Sequence, residues 1–454
     1  MPPVTARSAV LGLLALAPLA NACRSADART RASDAEMLDQ AMRATTATIV
    51  YDIFSPPQAS RAYAYASVAA YEAIRPGYPE YRTLAGQLNG LDSLPRPQAG
   101  AKYSFPLAGV HAFMTVGRQL TFSRAKMDSA RARLDGQYKD ELPADVYARS
   151  VAYGDTIAAR VLAWAGKDRY LQTRGAPKFA LHSDEPGRWI PTPPAYMDAV
   201  EPNWPKIRPF VLDSSSQFRP APPLAFDTAK GSPYMQQVRE VIDAGRALTP
   251  EQKALTAFWD CNPYVMHVVG HNMYATKKIT PGGHWMEIAR TASRRANADV
   301  MRTAEVYART AVALADGFIS NWDEKFRSNM VRPETVIDRY VDPSWTPFLQ
   351  TPPFPEYTSG HSVISSAAAA VLTDEFGENF AFADSAEVPF GLGVRRFTSF
   401  NQAAREAAVS RLYGGIHFRQ ATEEGNTQGA KVGALVIARV KTRVARPVLA
   451  QAGR

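Results

Sequence analysis

Three short segments in the last third of this 454-residue chain hold residue types at spacings that suit oxyanion chemistry. The first carries Lys325 and, seven positions on, Arg332 ahead of Pro333. On a continuing helix the two cations would share a face. Pro333 disfavours the helical region for Arg332 and is expected to end the helix there. The second segment is Ser359-Gly360-His361, leading into an alanine-rich run. A hydroxyl, a bare glycine amide and an imidazole then sit at a helix start, where free N–H groups and the positive dipole end suit an anion. The third runs from Ser410-Arg411 through Gly414-Gly415 to His417. The paired glycines should break the helix after Tyr413, and a tight turn can aim Arg411 and His417 at one point. Taken singly, each has an ordinary reading: a solvated basic face, an N-cap serine, a helix C-cap with a surface histidine.

Taken together, their order and spacing resemble a known pattern. Lys, six residues, Arg-Pro, then Ser-Gly-His, then Ser-Arg, five residues, His resembles the superfamily of vanadium-dependent haloperoxidases and type-2 phosphatidic acid phosphatases, which includes bacterial acid phosphatases. The resemblance spans residues 321–425, with looser support from Phe258-Trp259-Asp260 and Thr280-Pro281-Gly282-Gly283-His284-Trp285. It implies that Lys325, Arg332 and Arg411 neutralise a tetrahedral oxyanion such as vanadate, while Ser359 and the Gly360 amide hydrogen-bond it. His417 would ligate vanadium, or be the nucleophile of a phosphatase, and His361 would be the acid–base partner. Asp260 or Asn262 is expected behind Arg411.

Two departures stand out. Thr358 replaces the usual proline before Ser-Gly-His. Ala421 replaces the acid that usually orients the imidazole, so another acceptor must fix the His417 ring. Because a phosphatase depends most on that orientation, Ala421 favours held vanadate over a phosphorylated His417. Trp322 and Phe354 match positions where fungal-type chloroperoxidases carry aromatics beside the oxyanion, an apolar wall better suited to halide or a small organic substrate than to a charged ester. The resemblance thus implies oxidation of halide by hydrogen peroxide at vanadate, with a soluble acid phosphatase as the alternative. A protein that merely sequesters the oxyanion is a further, non-enzymatic alternative.

The elements that must position these residues read as an all-α protein of helical bundles joined by long, ordered, proline-rich loops. Helical patterning covers residues 35–75, 107–120, 123–134, 144–165, 232–245, 250–259, 263–274, 283–326, 359–376, 401–413 and 423–441. Residues 173–233 hold twelve of the 34 prolines, interspersed with Trp189, Trp204 and Phe210. Such a segment is too aromatic for a flexible linker, and it reads as an ordered excursion over the surface. A second proline- and aromatic-rich loop is expected over residues 333–355. The organisation is then a signal peptide (1–22), an N-terminal helical region (23–172), the excursion (173–233) and a catalytic region (234–454).

The start of the chain points to export. Arg7 is the only charge before residue 24, and residues 9–19 are apolar, followed by small Ala20 and Ala22. This pattern suits a secretory signal rather than a membrane span. Cys23 directly follows Ala-Asn-Ala, so cleavage after Ala22 and lipid anchoring at Cys23 are both open, as are periplasmic, outer-membrane and secreted locations. An oligomer is also conceivable. Net charge is +9, falling to +8 once Arg7 is removed. No run of five like charges and no zinc-finger spacing accompanies it, so nucleic acid is not an expected partner. His267 and His271, four apart, could share a helix face with His284 nearby, which offers a rival metal site. The pair lacks the interposed glutamate of helical zinc hydrolases.

Overall fold

The computed structural model describes residues 33–263 and 265–444. The expected signal peptide and Cys23 lie outside the described residues. The chain folds into α1 (Asp34–Tyr51), α2 (Pro56–Ile74), α3 (Phe105–Leu120), α4 (Arg124–Lys139), α5 (Ala144–Ala165), a short α6 (Tyr170–Arg174), α7 (Pro233–Arg246) and α8 (Pro250–Phe258). There follow the strands β1 (Val265–Val269) and β2 (Asn272–Thr276), then α9 (Pro281–Arg295), α10 (Val300–Ser328), α11 (Pro333–Tyr340) and α12 (Gly360–Phe376). Strands β3 (Phe382–Asp384) and β4 (Arg395–Phe397) precede α13 (Phe400–Tyr413) and α14 (Arg419–Arg439). The described residues are therefore mostly helical, with two small antiparallel sheets among them.

Local sequence explains where many helices begin. Ser55, Ser232, Thr249 and Thr280 each precede proline, and each side chain accepts a hydrogen bond from a backbone N–H in the first turn. A hydroxyl thus satisfies one orphan donor, while proline at the first helical position gives up an N–H that had no partner.

The central element is α10, buried along most of its length and packed against α1, α2, α9, α12 and α14. A large apolar core runs through both halves of the chain around it, beside a smaller one that includes Tyr234, Val241, Ile337 and Phe418. The excursion is pinned to this helix. Buried Asp316 accepts hydrogen bonds from the backbone N–H groups of Phe210, Val211 and Leu212 at 2.7, 2.7 and 3.0 Å. Trp189, Trp204 and Phe210 are all buried, so the segment is ordered as its composition implied. Among the described residues no helix is long and apolar enough to cross a membrane.

Three local expectations fail. Residues 263–274 do not form a helix; β1 and β2 make a hairpin in which Val269 pairs with Asn272. The valine-rich run favours a strand, and Gly270, at φ +59°, supplies the turn. Residues 283–326 are two helices, because Asn297 adopts the left-handed region and Asp299 caps α10. The loop over residues 333–355 contains a helix, α11, which starts at Pro333. Arg332 itself is extended, at φ −77° and ψ 150°, as a residue before proline should be.

The helix that carries Ser359 and His361 is seated on α14 by a stripe of glycines. A Cβ on Gly425 would lie 2.9 Å from the Ser359 carbonyl oxygen, and one on Gly429 only 2.0 Å from that of Val363. The two backbones can meet this closely only because α14 has no side chain there.

Candidate active site

The start of α12, the end of α10 with Arg332, the segment 354–358 and the turn after α13 converge on a cavity of about 40 Å³. That is room for a small tetrahedral oxyanion or a few waters. Its wall includes Trp322, Phe354, Gly360, His361, Arg411 and His417, and also Pro56 and Pro281 from elements outside the three motifs. Lys325, Arg332, Ser359, His361, Arg411 and His417 are all brought to this region. Lys325, Arg332, Ser359, Arg411 and His417 are at most 3% exposed.

His417 holds the most informative geometry. Its Nδ1 lies 2.8 Å from Glu356 Oε1, which also accepts from the Phe418 backbone N–H at 3.0 Å. Burial, then the positive charges of Arg332 and Lys325, holds the His417 pKa well below the ordinary range. A neutral ring donating from Nδ1 to a carboxylate presents its Nε2 lone pair, the form that can ligate a metal or attack phosphorus. Arg332 Nη1 stands 3.2 Å from that Nε2. Glu356 is the acceptor that Ala421 left open. The sequence reading missed it because it precedes His417 by 61 residues instead of following it by four. Ala421 supplies backbone instead: its carbonyl accepts from the Ser359 N–H at 3.0 Å.

The cations are held mostly by backbone. Lys325 Nζ donates to the carbonyls of Pro355, Glu356 and Thr358 at 2.9, 3.0 and 2.7 Å. It thereby organises the segment before Ser359, and burial pushes its pKa well down. Arg332 donates from Nε to the Phe354 carbonyl and from Nη1 to that of Ile416. Burial lowers its pKa to about 10, which leaves it charged at neutral pH. Lys325 and Arg332 do not share a helix face, since α10 ends at Ser328. Arg411 donates from Nε to Ser410 Oγ. Asp260 acts on Arg411 electrostatically while pairing with Lys278 at 2.7 Å, and Asn262 lines the cavity.

The remaining polar atoms test whether an oxyanion fits. Arg332 Nη2, Arg411 Nη2 and His361 Nε2 are buried without a hydrogen-bond partner. Such orphans in a native interior need a reason. An oxyanion would accept from the two guanidinium groups, while neutral His361, its pKa held well down by burial and Arg411, could exchange a proton with a bound molecule. Ser359 Oγ caps its own helix through the Ser362 N–H at 3.4 Å, a long bond that leaves the hydroxyl available. Trp322 and Phe354 pack at 5.0 Å between ring centroids, and Lys325 Nζ lies 5.1 Å from the Phe354 centroid. The aromatic wall and the basic pocket are therefore one structure.

The rival histidine pair does not form a site on a helix face. His267 lies on β1 bonded to Thr276 Oγ1, and His271 occupies the exposed hairpin turn. His284 is buried elsewhere, against Cys261 and Asp384.

A buried cationic pocket at helix ends in a helical protein is suited to hold an oxyanion. The family model described as the VCPO second helical-bundle domain matches residues 305–446. The crystal structure of a bacterial vanadium-dependent iodoperoxidase is 48% identical, with 90% of this chain and 98% of that one covered and a TM-score of 0.86. Holo and apo structures of bacterial vanadium-dependent chloroperoxidase, each 18% identical, share the fold. The holo form matches over 88% of this chain and 92% of its own at a TM-score of 0.63, the apo form over 84% and 92% at 0.64. No curated protein matches the chain. The chain belongs to the vanadium-dependent haloperoxidase family and is an oxidoreductase of that type.

Proposed function

We propose that this enzyme holds orthovanadate and oxidises halide with hydrogen peroxide, with iodide its first substrate. The observation that carries the reading is the set of buried, partnerless atoms around one cavity: Arg332 Nη2, Arg411 Nη2 and His361 Nε2. Arg332, Arg411, Ser359, the Gly360 amide and Lys325 would hold the oxyanion, with His417 Nε2 as its protein ligand. Bound vanadate supplies a Lewis-acidic centre that activates peroxide. His361 would exchange a proton with a molecule bound in the cavity, and Glu356 keeps the His417 lone pair aimed at the cavity. Trp322 and Phe354 keep the halide-facing wall dry, where a weakly hydrated anion loses least. Iodide is chosen because the 48% identical relative is an iodoperoxidase.

The test is to load purified protein with vanadate and measure peroxide-dependent oxidation of iodide, bromide and chloride in parallel. Vanadate-dependent turnover of iodide is expected. The reading is lost if no halide turns over while the same preparation hydrolyses a phosphate monoester and vanadate inhibits that hydrolysis. This second reading, an acid phosphatase working through phospho-His417, gains support from Glu356: the absent acid at Ala421 no longer weighs against an oriented, nucleophilic imidazole.

Export with removal of residues 1–22 belongs to the same proposal, resting on the apolar run and small residues of the leader. Acylation of Cys23 is tested by mass spectrometry of the protein from its native host, and assembly into an oligomer by light scattering. The division into residues 23–172, 173–233 and 234–454 is tested by limited proteolysis.

A further inference from the structure

Beside the oxyanion cavity lies a second cluster that the haloperoxidase reading does not use. Cys261 follows α8, His284 sits in the first turn of α9, and Glu387 precedes a single helical turn at Val388–Phe390. All three are buried, at 1%, 0% and 0% exposure. Cys261 Sγ is 3.2 Å from His284 Nδ1 and 3.5 Å from Glu387 Oε1, and His284 Nδ1 is 3.1 Å from that same oxygen. The far nitrogen of His284, Nε2, lies 2.7 Å from Asp384 Oδ2.

Hydrogen bonding within the cluster leaves one acceptor over. Asp384 takes the Nε2 proton, while the thiol and a protonated Nδ1 can both donate to Glu387 Oε1. Glu387 Oε2 is buried with no partner at all. An ion would engage that carboxylate together with the sulfur and Nδ1. About 2.3 Å from sulfur and about 2.0–2.1 Å from nitrogen and oxygen, tetrahedral zinc sets its ligand atoms about 3.3–3.6 Å apart. The observed triangle needs to open by no more than about 0.4 Å to meet that geometry. The Asp384 bond is the outer-shell contact that fixes a metal-bound imidazole in the right tautomer. Trp259 stacks on the His284 ring at 4.6 Å and 17°, closing the site on one side.

We infer that Cys261, His284 and Glu387 bind a zinc-type divalent ion, distinct from vanadate, with Asp384 orienting His284. Thiolate, imidazole and carboxylate together select such an ion over magnesium or calcium, which take all-oxygen sites. Glu387 Oε2 or a water completes the coordination. The ion ties three separate segments together at the cavity wall. One of them, residues 259–263, carries Asp260 towards Arg411 and puts Cys261 and Asn262 in the lining. Its role is to position that wall.

Zinc and vanadium are measured side by side on full-length protein, first as purified, then stripped with a chelator and titrated with zinc or cobalt(II) alone. One zinc per chain is expected whether or not vanadate is present, and cobalt should give a thiolate charge-transfer band in the near ultraviolet. Cys261→Ser should abolish that band and weaken zinc binding at least about tenfold, with Glu387→Gln weakening it as well. Stripped wild-type protein that takes up no stoichiometric zinc and gives no cobalt–thiolate band overturns the inference, even if the variants do not fold. A band that survives Cys261→Ser overturns it too. Vanadium content, read from the same samples, reports the oxyanion site separately.

Discussion

His417 Nδ1 stands 2.8 Å from Glu356 Oε1, and both side chains are buried. The contact joins the segment before α12 to the turn after α13, so the imidazole proposed to ligate vanadium is oriented by the loop that also presents Ser359. Glu356→Ala should weaken vanadate binding by about 10–100-fold, the usual cost of losing such a partner. Glu356→Gln keeps an acceptor oxygen for Nδ1–H and should retain most of the affinity. Equilibrium dialysis of the two variants decides the point, and wild-type affinity in Glu356→Ala would remove Glu356 from its assigned role.

The same carboxyl gives the vanadate-free protein a pH dependence of known sign. Burial pushes the Glu356 pKa from 4.5 up to about 7, against the opposing pull of Arg332 and Lys325. The folded state therefore keeps a proton that the unfolded chain releases. Its contribution to stability is fully present below about pH 4.5 and is lost as pH rises through about 7. The whole effect is on the order of 3 kcal/mol. His417 works the other way: burial and the adjacent cations keep it neutral in the folded state, whereas the unfolded histidine binds a proton as pH falls through about 6.5. Urea unfolding should show the wild type losing stability relative to Glu356→Gln as pH rises from 5 to 8. An equal difference between the two at both pH values would place the titration elsewhere.

The cavity cations can be tested by linkage. Arg411 Nη2 has no partner, and the guanidinium is buried, so its charge is set up for a ligand rather than for the fold. Vanadate at about 100 times its Kd should stabilise the wild type by about 2.7 kcal/mol. Arg411→Ala should lose that stabilisation while its vanadate-free form melts no lower than the wild type by more than a few degrees. Thermal melts with and without vanadate measure both. A full vanadate-induced shift in the variant would mean that Arg411 does not touch the oxyanion.

The residues that meet in the cavity were legible because their chemistry is local: a cap, a residue before proline, a double glycine. Even Arg332 takes the extended backbone that Pro333 imposes. Glu356 was not legible, since a carboxylate 61 positions from its imidazole partner leaves no periodic or motif signal. The hairpin at 265–276 is signalled only locally, by β-branched valines and Gly270, over strands of five residues too short to set up a clear alternation. The closeness of α12 and α14 was also written in the sequence, as glycines four apart at 425, 429 and 433, yet it gains meaning only once the partner helix is known.

That closeness yields the sharpest stability prediction. A methyl on Gly429 would sit 2.0 Å from the Val363 carbonyl oxygen and 2.7 Å from its carbon, contacts with backbone that no rotamer change relieves. Gly429→Ala must push α12 and α14 apart, and α12 starts with the Gly360 amide and His361. The substitution should cost about 3 kcal/mol or more in stability. It should weaken vanadate binding as well, although Gly429 is no part of the cavity wall. Gly136 in α4 is the control, because nothing lies within 4 Å of its added Cβ. Gly136→Ala should stabilise the protein by about 0.5–1 kcal/mol by removing backbone freedom from the unfolded chain. Urea unfolding of both variants separates the two effects, and a neutral Gly429→Ala would show that the two helices are not held at this distance.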